Sequence, residues 1–334
     1  MAAKKKTSSR SPESVLTLHL TPEEPLVLAG LMEDNPRDFL AALGLLRITS
    51  ELWTDAGISL AWNNDGHPVM HVRLNLPDDW VALLCASVQA LNRIEPHPFV
   101  HHKVIKVPQA AMRNHMTRSL EFVKSAGPLH HIPVALYSGF ASQIHTDKDG
   151  MTNVTAYSFS NGQGGKELLR DVKELINSQM APASLCGDLL GLPECRRDAK
   201  SFRWHPAEFR AAAYRPHDPG AGIKGDVLLD FASANVLAFF GLTFYPVVDR
   251  ASREETLGLS SERLNRERSD YFTWPIWGQP IGIDAIASLL HHPAVHSAEK
   301  NPKVLACLGV KRLRRSRRFS SDKSLYFAPS FSVG

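Results

Sequence analysis

The chain has 334 residues, of which 43% are hydrophobic and 22% are charged, so it has the composition of a globular protein with a sizeable core. No apolar run reaches the roughly 18 residues that a membrane span needs. The four scattered cysteines form no C-x-x-C pair, which argues against a zinc ribbon and favours a reducing, cytoplasmic location. The formal net charge of +4 includes two dense basic runs, within residues 4–10 and 311–318, and such runs indicate a polyanionic partner.

Residues 1–24 are predicted to be a disordered basic tail, because the opening MAAKKKTSSR is followed by no apolar stretch of the kind found in secretory signals. Residues 25–135 are predicted to form an N-terminal α+β domain. Its first helix is indicated by Asn35 as the N-cap and Pro36 in the first turn, followed by apolar residues at helical spacing from Phe39 to Leu46.

A β-hairpin and a second helix are predicted next in this domain. The runs ISLAW and HPVMHVRLNL flank NNDG, whose Asp-Gly pair is typical of a hairpin turn. Trp80, Leu84 and Val88 then recur at a spacing of four residues, which predicts an amphipathic helix. The first hundred residues are therefore expected to form helix, hairpin and helix.

Residues 136–222 are predicted to form a middle segment rich in Gly, Arg and aromatic residues, with one clear helix in KELLRDVKELINSQM. A Pro-Gly cluster, DPGAG, closes this segment. Residues 223–334 are predicted to form a C-terminal α+β segment that ends in an Arg-rich strand or helix. The predicted fold class is mixed α+β, with helices and antiparallel hairpins and without a Rossmann or P-loop signature.

One short pattern occurs three times, as FLAALGLLRI at 39–48, VLAFFGLTFY at 236–245 and VLACLGVKRL at 304–313. Each copy contains Leu-Ala, two residues of any size, and then Gly. We interpret the glycine as a left-handed helix C-cap that precedes a strand, because glycine adopts that conformation without strain. The unequal spacing of the three copies excludes a solenoid repeat.

The third copy runs into KRLRRSRRF, which is the most specific candidate site. Arginine binds phosphate through two parallel hydrogen bonds, and a segment anchored by Val310 and Leu313 would present its cations outward. The alternative is a solvated basic face, but six cations within eight residues repel one another and favour a counter-charge. The predicted nucleic-acid contacts are Lys311, Arg312, Arg314, Arg315, Arg317 and Arg318.

Two weaker candidates for nucleic-acid contacts lie in the middle segment. SNGQGGKELLR places Gln163 and Lys166 at the start of a helix, where backbone N–H groups and the helix dipole favour a phosphate. Its glycine spacing and the acidic residue after the lysine exclude a Walker A loop. FRWHP places Arg203 beside Trp204, a combination that suits stacked single-stranded bases, and core packing is the alternative for the tryptophan.

The sequence contains no recognisable catalytic or metal-binding motif. The 15 histidines include adjacent pairs at 101/102, 130/131 and 291/292, but neighbours in a strand point apart, and neither an H-E-x-x-H nor a G-x-S-x-G pattern occurs. We therefore expect no catalytic residue, no metal and no cofactor. One alternative hypothesis is a metal-dependent nuclease or hydrolase that uses histidines with Asp147, Asp149 or Asp226. Another is a scaffold whose basic end binds an acidic protein.

Five segments follow one another in order from residue 30 onward: NPRDFLAALGLLRITSELW, ISLAW, FRWHPAEFRAAAYRPHDPG, LAFFGLTFYPVV and FTWPIWGQPIGIDAIASLL. An Arg-rich segment comes after them. This ordered series resembles the subunits of type I CRISPR effector complexes (Cascade), particularly the large-subunit-like proteins of the I-G group, formerly I-U.

The resemblance implies a non-catalytic, cytoplasmic subunit of a ribonucleoprotein complex in antiviral defence. In such complexes CRISPR RNA pairs with invading DNA, while protein subunits contact the flanking motif and the opened strands. The implied partners are CRISPR RNA, target DNA, other Cascade backbone subunits and a separate helicase-nuclease, and no membrane is implied.

Overall fold

The structure is a computed structural model, and it describes residues 18–95, 97–125, 127–142, 144–159, 167–198, 202–206, 229–250, 253–264, 267–297, 301–321 and 324–333. Within these ranges the chain is a mixed α+β protein with antiparallel sheets, which confirms the predicted fold class. None of the described helices is long and apolar enough to cross a membrane.

The elements are numbered in chain order. The helices are α1 Pro36–Leu52, α2 Trp80–Ala90, α3 Pro98–His101, α4 Gln109–Val123, α5 Ile132–Phe140, α6 Leu168–Gln179, α7 Pro182–Leu190, α8 Ala232–Gly241, α9 Ile283–Leu290, α10 Pro293–His296 and α11 Pro302–Cys307. The strands are β1 Leu26–Val27, β2 Ser59–Trp62, β3 Pro68–His71, β4 Arg197–Asp198, β5 Leu229–Asp230, β6 Val247–Arg250, β7 Arg253–Thr256, β8 Leu259–Leu264, β9 Glu267–Trp277, β10 Ile281–Gly282, β11 Val310–Ser321, β12 Ser324–Phe327 and β13 Phe331–Val333.

The elements predicted from local patterns are confirmed. The Asn35 side chain accepts a hydrogen bond from the N–H of Arg37 at 3.0 Å and so caps α1. β2 and β3 form the predicted hairpin, with Leu60 opposite Met70. The second amphipathic helix is α2, and the helix predicted in KELLRDVKELINSQM is α6.

Two antiparallel sheets contain most of the strands. One has the order β1-β3-β2-β10, so it joins residues 26–71 to residues 281–282. The other has the order β12-β11-β9-β8, and β13 also pairs with β11. β11 is therefore a central strand, with β9 along one edge and β12 and β13 along the other.

The repeated Leu-Ala-x-x-Gly pattern forms a helix crossing in its first two copies. Gly44 lies inside α1, and Gly241 at the end of α8 has a helical φ of −61°. A Cβ on Gly44 would overlap the carbonyl oxygen of Leu237, and a Cβ on Gly241 would overlap that of Leu40, both far inside the 3.0 Å limit for real Cβ contacts. The C-cap prediction is therefore wrong for these two glycines. It is confirmed for Gly309, whose φ is 74°.

The glycine crossing explains why the first two copies of the pattern are alike. Each helix offers a glycine to the backbone of the other, so the same Leu-to-Gly spacing is needed on both sides. α1 and α8 make the most extensive contact between any two described helices. Each helix is also followed by a 3₁₀ turn and a β-hairpin, which is β2–β3 after α1 and β6–β7 after α8.

The main hydrophobic core extends through the described residues from Leu18 to Phe327. It contains side chains from all three predicted segments, so core contacts cross the boundaries proposed at 135 and 222, which stay predictions. Leu18 and Leu20 are 4% and 3% exposed, and the Trp80 indole donates a hydrogen bond to the carbonyl of Leu18. The prediction of a disordered tail is therefore wrong from residue 18 onward.

Candidate nucleic-acid interface

The basic run forms β11, and its pairing with β9 shows which way the side chains project. Arg312 and Arg314 lie opposite Ile276 and Trp274, both of which are fully buried. Because opposite residues in an antiparallel pair share a face, these two arginines project on the core side of the sheet. Leu313 projects on the other face and is 1% exposed, which confirms that it anchors the run.

Both of these arginines share one carboxylate, that of Glu33. Its Oε1 accepts hydrogen bonds from Arg314, at 3.2 Å from Nε and 2.7 Å from Nη2, and lies 3.2 Å from Nε of Arg312. The Glu33 side chain is 3% exposed. Its backbone is fixed on both sides, since its N–H donates to the carbonyl of Gly66 at 2.8 Å and its carbonyl accepts the Trp274 indole N–H at 2.9 Å.

Two further arginines are paired with carboxylates from the neighbouring strands. Arg315 pairs with Glu262 of β8, and its guanidinium lies 4.0 Å from the centroid of the Tyr271 ring. Arg318 donates a hydrogen bond to Asp270 of β9 at 3.2 Å. Burial lowers the pKa of Arg318 below its usual range, and the charge of Asp270 opposes that effect. Both arginines therefore help to hold the three strands together.

The six cations of β11 consequently differ in how far their charge is available to a binding partner. Arg314, Arg315 and Arg318 are 19%, 13% and 18% exposed, so the prediction that they face outward is wrong. Lys311 is exposed, and its ammonium donates a hydrogen bond to the neutral side chain of Asn64 in the β2–β3 turn. The Arg317 guanidinium lies over the ring of Phe319, and Arg317 has no acidic partner among the described residues. Three carboxylates face six cations, so the strand keeps a net positive charge.

The predicted Arg-Trp site is packed into the protein. Trp204 is 1% exposed, and its indole N–H donates to the carbonyl of Tyr157 at 2.9 Å, so the ring cannot stack on a base. The prediction that Trp204 stacks on single-stranded bases is wrong, and the core-packing alternative holds. Arg203, with a φ of 64°, donates to the carbonyl of Phe159 at 3.1 Å. The other two predicted contacts, Gln163 and Lys166, lie outside the described residues.

The acidic partners of the run were not predicted from the sequence. Glu262 lies on β8 and Asp270 on β9, so both belong to the same sheet as β11, and the order of its strands is known only from the structure. Glu33 likewise has no sequence signal, because it lies 281 residues from Arg314 and meets it only in the folded chain.

Three histidines form a cluster that the sequence also did not predict. The ring centroids of His101 and His102, around the end of α3, lie 4.7 and 4.6 Å from that of His115 on α4. Nε2 of His101 lies 2.5 Å from a carboxylate oxygen of Glu95. Nε2 of His102 and Nδ1 of His115 are buried and have no hydrogen-bond partner among the described residues. In the same residues no three His, Cys, Asp or Glu side chains are arranged to hold a metal ion.

The cluster has a consequence for stability against acid. Burial lowers the pKa of His102 to about 4, with the charges of His115 and His101 as further causes, and burial also lowers the pKa of His115. A histidine in the unfolded chain titrates at about pH 6.5, so the unfolded chain takes up these protons at a higher pH than the folded chain. The stability contributed by the neutral rings is therefore complete above that pH and is lost as the pH falls toward about 4.

We expect the free energy of unfolding to fall as the pH is lowered from about 6.5 to about 4, and we expect His102→Gln to reduce this fall. Urea unfolding at several pH values across this window measures the effect. His19→Gln is the control, because His19 is exposed and lies outside the cluster. An identical pH dependence in wild type and His102→Gln would contradict the assignment.

The acids of the hydrolase hypothesis are only partly described. Asp147 closes a turn, because one of its carboxylate oxygens accepts the N–H groups of Asp149 and Met151 and the other lies 2.5 Å from Nζ of Lys106. The hydrogen bond from Lys106, followed by that from the Met151 backbone, lowers the pKa of Asp147. Asp226 lies outside the described residues.

The sequence was compared with models of known protein families and with curated proteins. No family model matches the chain, and no curated protein matches it significantly.

Proposed function

We propose that the chain is a non-catalytic, nucleic-acid-binding subunit of a type I CRISPR surveillance complex, of the large-subunit-like kind found in the I-G group. Beside CRISPR RNA and the Cascade backbone subunits, it contacts target DNA at the flanking motif and the opened strands, and it helps to recruit a separate helicase-nuclease. The observation that carries this proposal is the excess positive charge of β11, with six cations against three carboxylates. The ordered series of five segments supports the class of complex.

The ion pairs change which residues of β11 make the contact. Lys311 and Arg317 lack an acidic partner in the described part of the chain, so their charge is available to a phosphate. Arg312 is 36% exposed, so part of its side chain is also open to a phosphate, although its Nε lies 3.2 Å from Oε1 of Glu33. The remaining arginines hold the strand in place. Such a surface contacts the phosphate backbone, while base pairing with the guide reads the sequence.

We expect the full-length protein to bind labelled duplex and single-stranded DNA with an affinity that falls steeply as salt is raised. Lys311→Ala/Arg317→Ala should make the slope of log K against log salt shallower by about 2 on duplex, because each phosphate contact contributes about 0.9. Fluorescence anisotropy between about 50 and 200 mM salt measures the slope. Lys303→Ala, an exposed cation of α11, is the control and should leave the slope unchanged.

The same preparations distinguish the alternative hypotheses. An unchanged slope in the double variant would contradict β11 as a contact surface. DNA cleavage with magnesium or manganese that EDTA abolishes would favour the metal-dependent nuclease. Retention of a protein partner after thorough nuclease treatment, without any DNA binding, would favour the scaffold.

A further inference from the structure

A second group of cations lies on α4 and the residue that follows it. Arg113, Arg118 and Lys124 are all exposed, and no described residue forms an ion pair with any of them. This contrasts with β11, where most of the arginines are paired with internal acids. The charge on α4 is therefore directed to solvent or to a partner.

The orientation of α4 is set by its buried side. Met112, His115 and Ser119 are buried at helical spacing, and the His115 ring stacks on Tyr137 of α5. The opposite side is exposed along its length and is named the α4 face. It consists of Arg113, Asn114, Thr117, Arg118, Leu120, Glu121 and Lys124.

The dimensions of the α4 face match a stretch of nucleic-acid backbone. Eleven residues separate Arg113 from Lys124, which corresponds to about 16 Å at the helical rise of about 1.5 Å per residue. One strand of a duplex places a phosphate about every 3.4 Å along its axis, so about five phosphates lie along this length. Glu121 is the one acidic residue among the exposed positions 113–124, so the face has a net positive charge.

The chemistry of the α4 face favours nucleic acid over an acidic protein. Leu120, which is 53% exposed, is the one strongly exposed large apolar side chain on this side of α4. Protein–protein interfaces have an apolar core depleted of charge, whereas protein–DNA interfaces are more polar and much more positive. Two arginines and an amide supply hydrogen-bond donors suited to phosphate oxygens.

We propose that the α4 face binds the phosphate backbone of a nucleic acid. This inference rests on the proposed nucleic-acid-binding function and adds a contact surface on a different element from β11.

The test compares two double variants that each remove two exposed cations. Arg113→Ala/Arg118→Ala should make the duplex salt slope shallower by about 2 and weaken binding at least about tenfold near 0.1 M salt. Arg73→Ala/Lys303→Ala, which changes exposed cations elsewhere, should leave both quantities unchanged. Alanine is the best helix former, so α4 should be retained, and circular dichroism with urea unfolding checks this.

A charge-conserving variant adds a second readout. Arg113→Lys/Arg118→Lys should keep the wild-type salt slope, because the charges remain, and should lose part of the affinity, because lysine lacks the planar fork of arginine. A slope as shallow as that of the alanine variant would contradict phosphate contacts at these positions.

The outcomes separate this inference from the proposed function. DNA binding by wild type with an unchanged slope in Arg113→Ala/Arg118→Ala would overturn the α4 face and leave the β11 proposal standing. Absence of DNA binding by wild type at about 50 mM salt would overturn both. A competition experiment adds polyglutamate at equal charge concentration to the DNA complex. If polyglutamate displaces DNA from wild type but not from Arg113→Ala/Arg118→Ala, the α4 face binds an acidic protein and the inference is overturned.

Discussion

Gly44→Ala and Gly241→Ala are each expected to lower the free energy of unfolding by about 3 kcal/mol or more, at the upper end of overpacking effects. In both variants the added methyl would overlap a backbone carbonyl oxygen of the facing helix, that of Leu237 or that of Leu40. A flexible side chain could rotate away from such an overlap. A carbonyl inside a helix cannot, so α1 and α8 would have to move apart and lose packing in the centre of the core.

Urea unfolding of the single variants measures this effect. Gly282→Ala is the control, because its φ is −78° and its added Cβ would lie 3.9 Å from the nearest atom, the carbonyl oxygen of Ile58. It should cost no more than about 1 kcal/mol. The variant with both Gly44→Ala and Gly241→Ala should cost less than the sum of the two, because one separation of the helices accommodates both methyls. Losses below about 1 kcal/mol in the single variants would show that the crossing is not tightly packed.

Glu33→Gln is expected to lower the free energy of unfolding by about 3 kcal/mol, the lower end of the range for breaking a buried ion pair. The change leaves the guanidinium groups of Arg312 and Arg314 on the core side of the sheet without a carboxylate. Glu33 is 3% exposed and Arg314 19%, so water compensates little of the loss. Arg312 is 36% exposed and is partly solvated, which is why the lower end of the range applies.

A matched substitution provides the control for Glu33→Gln. Glu174 lies 3.6 Å from Arg170 on α6 and is 52% exposed, so Glu174→Gln should change the stability by no more than about 0.5 kcal/mol. Adding Arg314→Met to Glu33→Gln should recover part of the lost stability, because it removes an uncompensated buried charge. Equal effects of Glu33→Gln and Glu174→Gln would refute the structural role of Glu33.

Patterns with a local physical cause were predicted correctly. The Asn35 cap and Pro36 locate the start of α1, and the Asp-Gly turn locates the hairpin of β2 and β3, because each depends on residues a few positions apart. The anchoring of the basic run by Leu313 was predicted for the same reason, since its apolar side chain stands among charged neighbours.

Features that depend on distant packing were predicted incorrectly. A glycine after an apolar helical run has the same sequence signature whether it ends the helix or lies at a crossing. Gly309 does the first and Gly44 the second, and what distinguishes them is the presence of α8 against α1. Trp204 has polar neighbours in the sequence but is buried, because its indole reaches the carbonyl of Tyr157, 47 residues away.

The candidate site also combines features that local sequence predicts with features that depend on distant packing. The sequence by itself determined that six cations lie within eight residues and that the apolar Leu313 lies among them, because both are properties of neighbours along the chain. Only the tertiary structure decided how much of this charge is available. Electrostatic attraction depends on separation in space, and folding brings Glu33 to Arg314 across 281 residues while it leaves Arg113 and Arg118 on α4 facing solvent.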